Sequence, residues 1–143
     1  MIDLAQYSEQ EAVSISSIAQ RQKISESYLE QLVAKLKKAG LVISIRGAAG
    51  GYRLARPASD ISVGDVLRAL EGDVRAVICT AQTEEGCEGE ELCVTKYVWQ
   101  RINESIEKTV DEMMIDQLVA ESRKAQEKAK NHDVDYSRNS CSG

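Results

Sequence analysis

The sequence predicts a mainly α-helical fold with one small β-hairpin. The expected architecture is a winged helix-turn-helix domain followed by a long C-terminal dimerisation helix. Three observations predict it. Residues 14–39 hold two serine-led amphipathic segments joined by a short turn. A β-branched run, Leu41-Val42-Ile43-Ser44-Ile45, is followed by a small-residue loop and a second strand-like run that Pro57 stops. Residues 90–130 contain neither Gly nor Pro and repeat apolar side chains at helical spacing.

The first amphipathic segment has Ser14 or Ser16 as its cap and runs to about Gln22, with Ile15, Ile18 and Ala19 apolar. Lys23-Ile24 forms the turn. Ser25 caps the second segment, and Glu26 places a carboxylate where the helix dipole favours it. That helix is expected to reach Ala39, with Gly40 as the residue that ends it. Leu29, Leu32, Val33 and Leu36 form its apolar stripe. The other face carries Ser27, Tyr28, Gln31, Lys35 and Lys38. Hydroxyl, amide and ammonium groups of this kind suit base edges and phosphates in a major groove, and equally a solvated helix face.

The hairpin that follows favours the first of those readings. Arg46-Gly47-Ala48-Ala49-Gly50-Gly51 is a loop of small residues, and Tyr52-Arg53-Leu54-Ala55-Arg56 returns as a strand. Arg46 and Arg53 are expected at the base of this wing. Small residues at its tip permit close approach to a phosphate backbone, and Arg46 suits a minor groove. The Gly-rich loop follows a strand but opens no helix, so it meets neither dinucleotide-binding nor Walker spacing. Ser62-Val63-Gly64-Asp65 is a capping box for a short helix to about Glu71, with Val63, Val66, Leu67 and Leu70 inward. Residues 1–75 thus form the expected DNA-binding domain.

Charge is divided along the chain. The net charge of −5 averages a segment of +6 over residues 21–56 with one of −5 over residues 79–93. No window approaches 18 consecutive apolar residues, so no transmembrane helix is expected. Met1-Ile2-Asp3-Leu4-Ala5-Gln6 lacks the basic region of a signal peptide. A cytoplasmic setting with reduced thiols is the expectation. The single histidine, His132, lies in a polar tail, which leaves no Ser/His or Cys/His pair and points away from an enzyme.

Cys79, Cys87 and Cys93 fall within fifteen residues, in a loop expected over residues 76–93. Thiolates are soft ligands for iron–sulfur clusters and zinc. A structural zinc site wants four ligands, and a fourth is not evident here. Cluster, zinc and unliganded thiols all stay open on spacing alone. Residues 94–130 read as the dimerisation helix or helices. Val94, Val98, Ile102, Ile106, Val110 and Met113 mark an apolar stripe, expected to pack on a second copy or on a following helix after a break near Met113-Met114. From residue 131 the tail is expected to be disordered, which sets Cys141 aside as a ligand.

The strings Ser27-Tyr28-Leu29-Glu30-Gln31-Leu32 and Arg46-Gly47-Ala48-Ala49-Gly50-Gly51-Tyr52, with the three cysteines, resemble the iron–sulfur cluster regulators, the IscR-like winged-helix transcription factors. The resemblance covers about residues 1–120. It implies a homodimer bound to a double-stranded DNA operator, and a 2Fe–2S cluster on Cys79, Cys87 and Cys93 supplied by a cluster-assembly scaffold protein. It implies DNA contacts from Ser27, Tyr28, Gln31 and Arg46, and a role for Glu30 in operator selectivity, since a carboxylate at a base edge prefers a cytosine amino group. The cysteine-free CymR-like sulfur regulators match less well. Two departures stand out. Members carry about a dozen residues before the match to Met1-Ile2-Asp3-Leu4, so an upstream start codon or a truncation is the expectation. The histidine that the best-known members carry with two residues between it and the last cysteine falls here on Lys96, the candidate fourth ligand, whose ammonium must lose a proton before it can bind metal. The alternatives are a thiol- or nitric-oxide-responsive repressor of the same family and a zinc-bound adaptor.

Overall fold

The computed structural model describes residues 1–8, 11–78, 87 and 92–139. The chain runs α1 (Ile2–Tyr7), α2 (Ile15–Gln22), α3 (Glu26–Lys38), β1 (Val42–Ile45), β2 (Gly51–Leu54), a 3₁₀ turn (Ala58–Asp60), α4 (Val63–Glu71), α5 (Thr95–Glu112) and α6 (Ile115–Asn139).

Local chemistry sets most boundaries. The Ser14 hydroxyl accepts from the Ser17 amide at 3.2 Å and opens α2. Lys23 ends it in the left-handed conformation, at φ 53 and ψ 42. Ser25 accepts from the Tyr28 amide at 3.2 Å and opens α3, and Gly40, at φ 72, carries the chain away from it. Both arms of the capping box are made at α4: the Asp65 amide donates to Ser62 Oγ at 3.0 Å, and the Ser62 amide donates to Asp65 Oδ2 at 3.2 Å.

β1 and β2 pair antiparallel, Val42 opposite Leu54 through Ile45 opposite Gly51. Val13 bridges to the other edge of β2, exchanging bonds of 2.9 and 2.8 Å with Tyr52. Gly51 makes this approach possible, because a Cβ there would lie 2.5 Å from the Val13 carbonyl oxygen. The core sits where α1, α2 and α3 meet the hairpin root and the start of α6. Val42 and Ile61 are its most enclosed side chains. Val63, Val66 and Leu70 of α4 pack against it, while Leu67 is half-buried and does not join it.

The long C-terminal helix is two helices. Met113 is extended, at φ −85 and ψ 111. Its carbonyl accepts from the Val63 amide at 2.8 Å, and the Ile115 amide donates to the Ile61 carbonyl at 2.9 Å. This bridge breaks the helix without Gly or Pro, and Ile115 and Val119 of α6 then enter the core. α6 also runs through residues 131–139, where a disordered tail was expected; no Gly or Pro stands there to stop it. Residues 140–143, Cys141 among them, lie outside the described residues.

The apolar repeat of α5 also divides. A four-residue spacing advances 400° and so drifts by about 40° a step around the helix. Lys96, Trp99, Asn103, Ile106 and Val110 therefore lie on the buried or half-buried side, and α5 packs on α4. Val94, Tyr97, Val98 and Ile102 face outward, from 76% to 37% exposed.

Candidate nucleic-acid interface and cysteine segment

The helix-turn-helix is braced from α1. Asp3, with a side chain only 7% exposed, takes bonds from Arg21 Nε at 2.9 Å, an Arg21 terminal nitrogen at 2.6 Å and Gln22 Nε2 at 3.0 Å. Tyr7 stacks on the same guanidinium, 4.3 Å from its ring centroid. Burial pushes the Asp3 carboxyl up, but the hydrogen bonds from Arg21 and Gln22 outweigh it and hold the group below its ordinary value. This pair fixes α2, and through the turn at Lys23 it fixes the entry to α3. Sequence reasoning missed it, because an acid and a base eighteen residues apart carry no local signal.

On α3 the structure leaves Ser27, Tyr28, Glu30, Gln31 and Lys38 exposed on one side, with Leu29, Val33 and Leu36 buried on the other. Lys35 is turned elsewhere. Its ammonium donates to the Leu70 carbonyl at 2.9 Å, capping the C-terminal end of α4, because α3 packs on α4 at that level. Lys37, not singled out in the sequence, donates to Ser44 Oγ at 2.9 Å and ties the same helix to β1.

Arg46 follows β1 directly and is exposed on the loop side of the hairpin, not at its base as expected. Arg53 stands opposite Ile43 in β2 and is half-buried. It lines a cavity of about 360 Å³ with Ala5, Ser8 and Arg56. Two paired segments therefore present one basic and hydroxylic surface, α3 and the wing, joined by Lys37 and Ser44. The base of the wing is anchored in turn, since Arg56 donates to Asp65 Oδ2 at 2.9 Å.

Cys87 is exposed and Cys93 half-buried, both as free thiols. Cys79 lies outside the described residues. Lys96 is in the first turn of α5, with its ammonium 5.4 Å from the Tyr97 ring centroid. Among the described residues no three His, Cys, Asp or Glu side chains gather around one point. The donor chemistry fits a soft-metal group: Cys87 and Cys93 are unbridged thiols of the segment, and its sequence holds a third cysteine.

A helix-turn-helix whose second helix shows polar groups outward, with a glycine-tipped basic hairpin beside it, defines a winged-helix DNA-binding regulator. Comparison with known proteins narrows the class. Residues 1–121 match the Rrf2 family model, described as an iron-dependent transcriptional regulator. The chain is similar to the HTH-type transcriptional regulator IscR of Serratia proteamaculans, 42% identical over 119 residues, which are 83% of this chain and 71% of that one. It is 40% identical over 122 residues to IscR of Vibrio atlanticus, covering 85% of this chain and 69% of that one. Among solved structures, IscR of T. potens aligns with a TM-score of 0.70 at 44% identity, over 87% and 81% of the two chains. CymR, the global cysteine regulator of B. subtilis, aligns with a TM-score of 0.70 at 37% identity, over 83% and 86%. The chain belongs to the Rrf2 family and is an IscR-type, DNA-binding transcriptional regulator rather than an enzyme. No helix among the described residues is long and apolar enough to cross a membrane.

Proposed function

We propose that the protein is a homodimeric regulator that senses iron–sulfur supply through a 2Fe–2S cluster on Cys79, Cys87 and Cys93. The observation that carries the reading is the pairing of an exposed polar face on α3 with a segment bearing three cysteines, of which Cys87 and Cys93 are free thiols and Cys93 stands just before α5. When bound, the cluster supplies a tie between thiols that depends on iron and sulfide. Lys96 is the candidate fourth ligand from this chain, and a cluster-assembly scaffold protein is the proposed donor.

Ser27, Tyr28, Gln31 and Lys38 would meet the major groove, with Arg46 and Arg53 on the backbone or minor groove of the operator. Gln31 suits an adenine edge, and Glu30 discriminates among operators by accepting from cytosine and repelling phosphate. Lys35 is left out of this set because its ammonium is held by α4. The outward side chains Val94, Tyr97, Val98 and Ile102 supply a dimer face, which places two copies of α3 for paired half-sites.

Anaerobic reconstitution with iron and sulfide tests the reading. Visible charge-transfer bands, stoichiometric iron and sulfide, and a change in operator affinity on cluster loading are the expected result. Modification-dependent release of DNA without iron would favour the thiol- or nitric-oxide-responsive repressor. Stoichiometric zinc without salt-dependent DNA binding would favour the adaptor.

A further inference from the structure

α5 carries its apolar side chains at least partly exposed, and its one fully buried side chain is polar: Asn103, 5% exposed. Burying an amide is unfavourable unless each polar atom finds a partner. Both atoms find one on a single stretch of main chain. The Ala76 amide donates to Asn103 Oδ1 at 3.0 Å, and Asn103 Nδ2 donates to the Val77 carbonyl at 2.9 Å. The side chain thus behaves as the edge of a strand, gripping two consecutive residues. The hydrogen bonds of residues 72–75 are local by comparison. The Gly72 amide bonds within the end of α4, and Asp73 pairs with Arg75 two residues on.

The grip falls two residues before Cys79 in the sequence. Asn103 also lies two turns along α5 from Lys96, on the same inward side. Sixteen residues separate Val77 from Val94, enough for roughly 50 Å if extended. Both of their ends are fixed to one helix, only roughly 14 Å apart along its axis. Holding the ends of a loop close removes much of the entropy that gathering its side chains must otherwise overcome.

We propose that Asn103 is a positioning residue for the cysteine segment. It fixes where the chain enters residues 79–93 relative to the helix that begins just after Cys93 and carries Lys96 in its first turn. The inference rests on the cluster reading above and adds to it the residue that pre-orders the thiols. Asn103 touches no metal in this account and acts through the main chain of Ala76 and Val77.

The test uses the full chain with Asn103→Ala and the near-isosteric Asn103→Asp, which keeps an acceptor for Ala76 but turns a carboxylate on the Val77 carbonyl. Protein reconstituted with iron and sulfide is exposed to air, and loss of the visible bands is timed. The apo-protein is treated with N-ethylmaleimide, and alkylation of Cys79 is followed by mass spectrometry. Both variants are expected to lose the bands about tenfold faster than the parent, the scale at which outer-shell contacts act on metal sites. Alkylation of Cys79 should be several-fold faster in both. Equal rates of band loss in parent and variants overturn the proposal. If the parent holds no iron and sulfide, the cluster reading falls, and the role of Asn103 is judged on Cys79 alone: an unchanged alkylation rate overturns it. If Asn103→Ala does not fold, Asn103→Asp decides by the same two rates.

Discussion

Replacing Asp3 with Asn tests whether the α1 brace supports the DNA-reading helices. The carboxylate accepts three hydrogen bonds, all from donors on Arg21 and Gln22. An Asn amide has one oxygen; at the Oδ2 position it keeps the bonds from Arg21 Nε and Gln22 Nε2, while its NH₂ faces the Arg21 terminal nitrogen and that bond is lost. A lost bond to a charged partner costs about 1.5–3 kcal/mol, and the bond kept from Arg21 Nε loses its ionised acceptor, which together give about 3 kcal/mol. Arg21 is 33% exposed and regains water when its partner is neutral, which lowers the expectation to about 2 kcal/mol. Urea denaturation at neutral pH should show a lower midpoint with an unchanged slope. The pH dependence follows from the lowered carboxyl pKa. Its contribution is fully present above the ordinary value of 3.8 and is lost as pH falls through the lower folded value. The gap between parent and variant should therefore be constant from neutral pH down to the ordinary carboxylate range and close below it. A difference under about 0.5 kcal/mol at neutral pH, or a gap that persists in strong acid, would refute the reasoning.

Other expectations test the remaining parts. Lys23→Gly removes the cost of a side chain in the left-handed region and should stabilise the protein by about 0.5–1 kcal/mol in thermal melts. Gly51→Ala forces a Cβ onto the Val13 carbonyl; it should cost about 1–3 kcal/mol and weaken operator binding in gel-shift titrations more than any change in melting explains. Gln31→Ala should lose about 1–3 kcal/mol on the cognate operator with little change on random DNA, whereas Lys38→Ala should weaken both and flatten the salt dependence. Ile102→Glu places a charge in the outward face of α5 and should shift sedimentation from dimer to monomer while leaving the helical signal intact.

The winged domain was legible because its signals are local. Ser14, Ser25 and Ser62 cap within three residues of themselves, Gly40 and Pro57 stop elements where they stand, and the glycines of the hairpin loop mark the wing. The polar face of α3 was legible for the same reason, since residue spacing along a helix decides which side chains share a face. Three features were not. The direction of Lys35 depends on where the end of α4 falls. The place of Arg46 depends on a register that starts β2 at Gly51 rather than Tyr52 and leaves the loop at residues 46–50. The role of Asn103 depends on a segment twenty-six residues away in sequence.

By itself, then, the sequence determined the boundaries of α2, α3 and α4, the existence of the wing, the three cysteines and the family pattern they complete. Only the tertiary structure decided that the C-terminal helix breaks at Met113, that the apolar repeat of α5 splits between an inner and an outer side, and that the one buried residue of α5 is an amide. The physical reason is common to all three. Caps and turns close within one turn of chain, while a backbone bridge such as Val63 to Met113, or an amide grip on Val77, exists only once distant segments have packed.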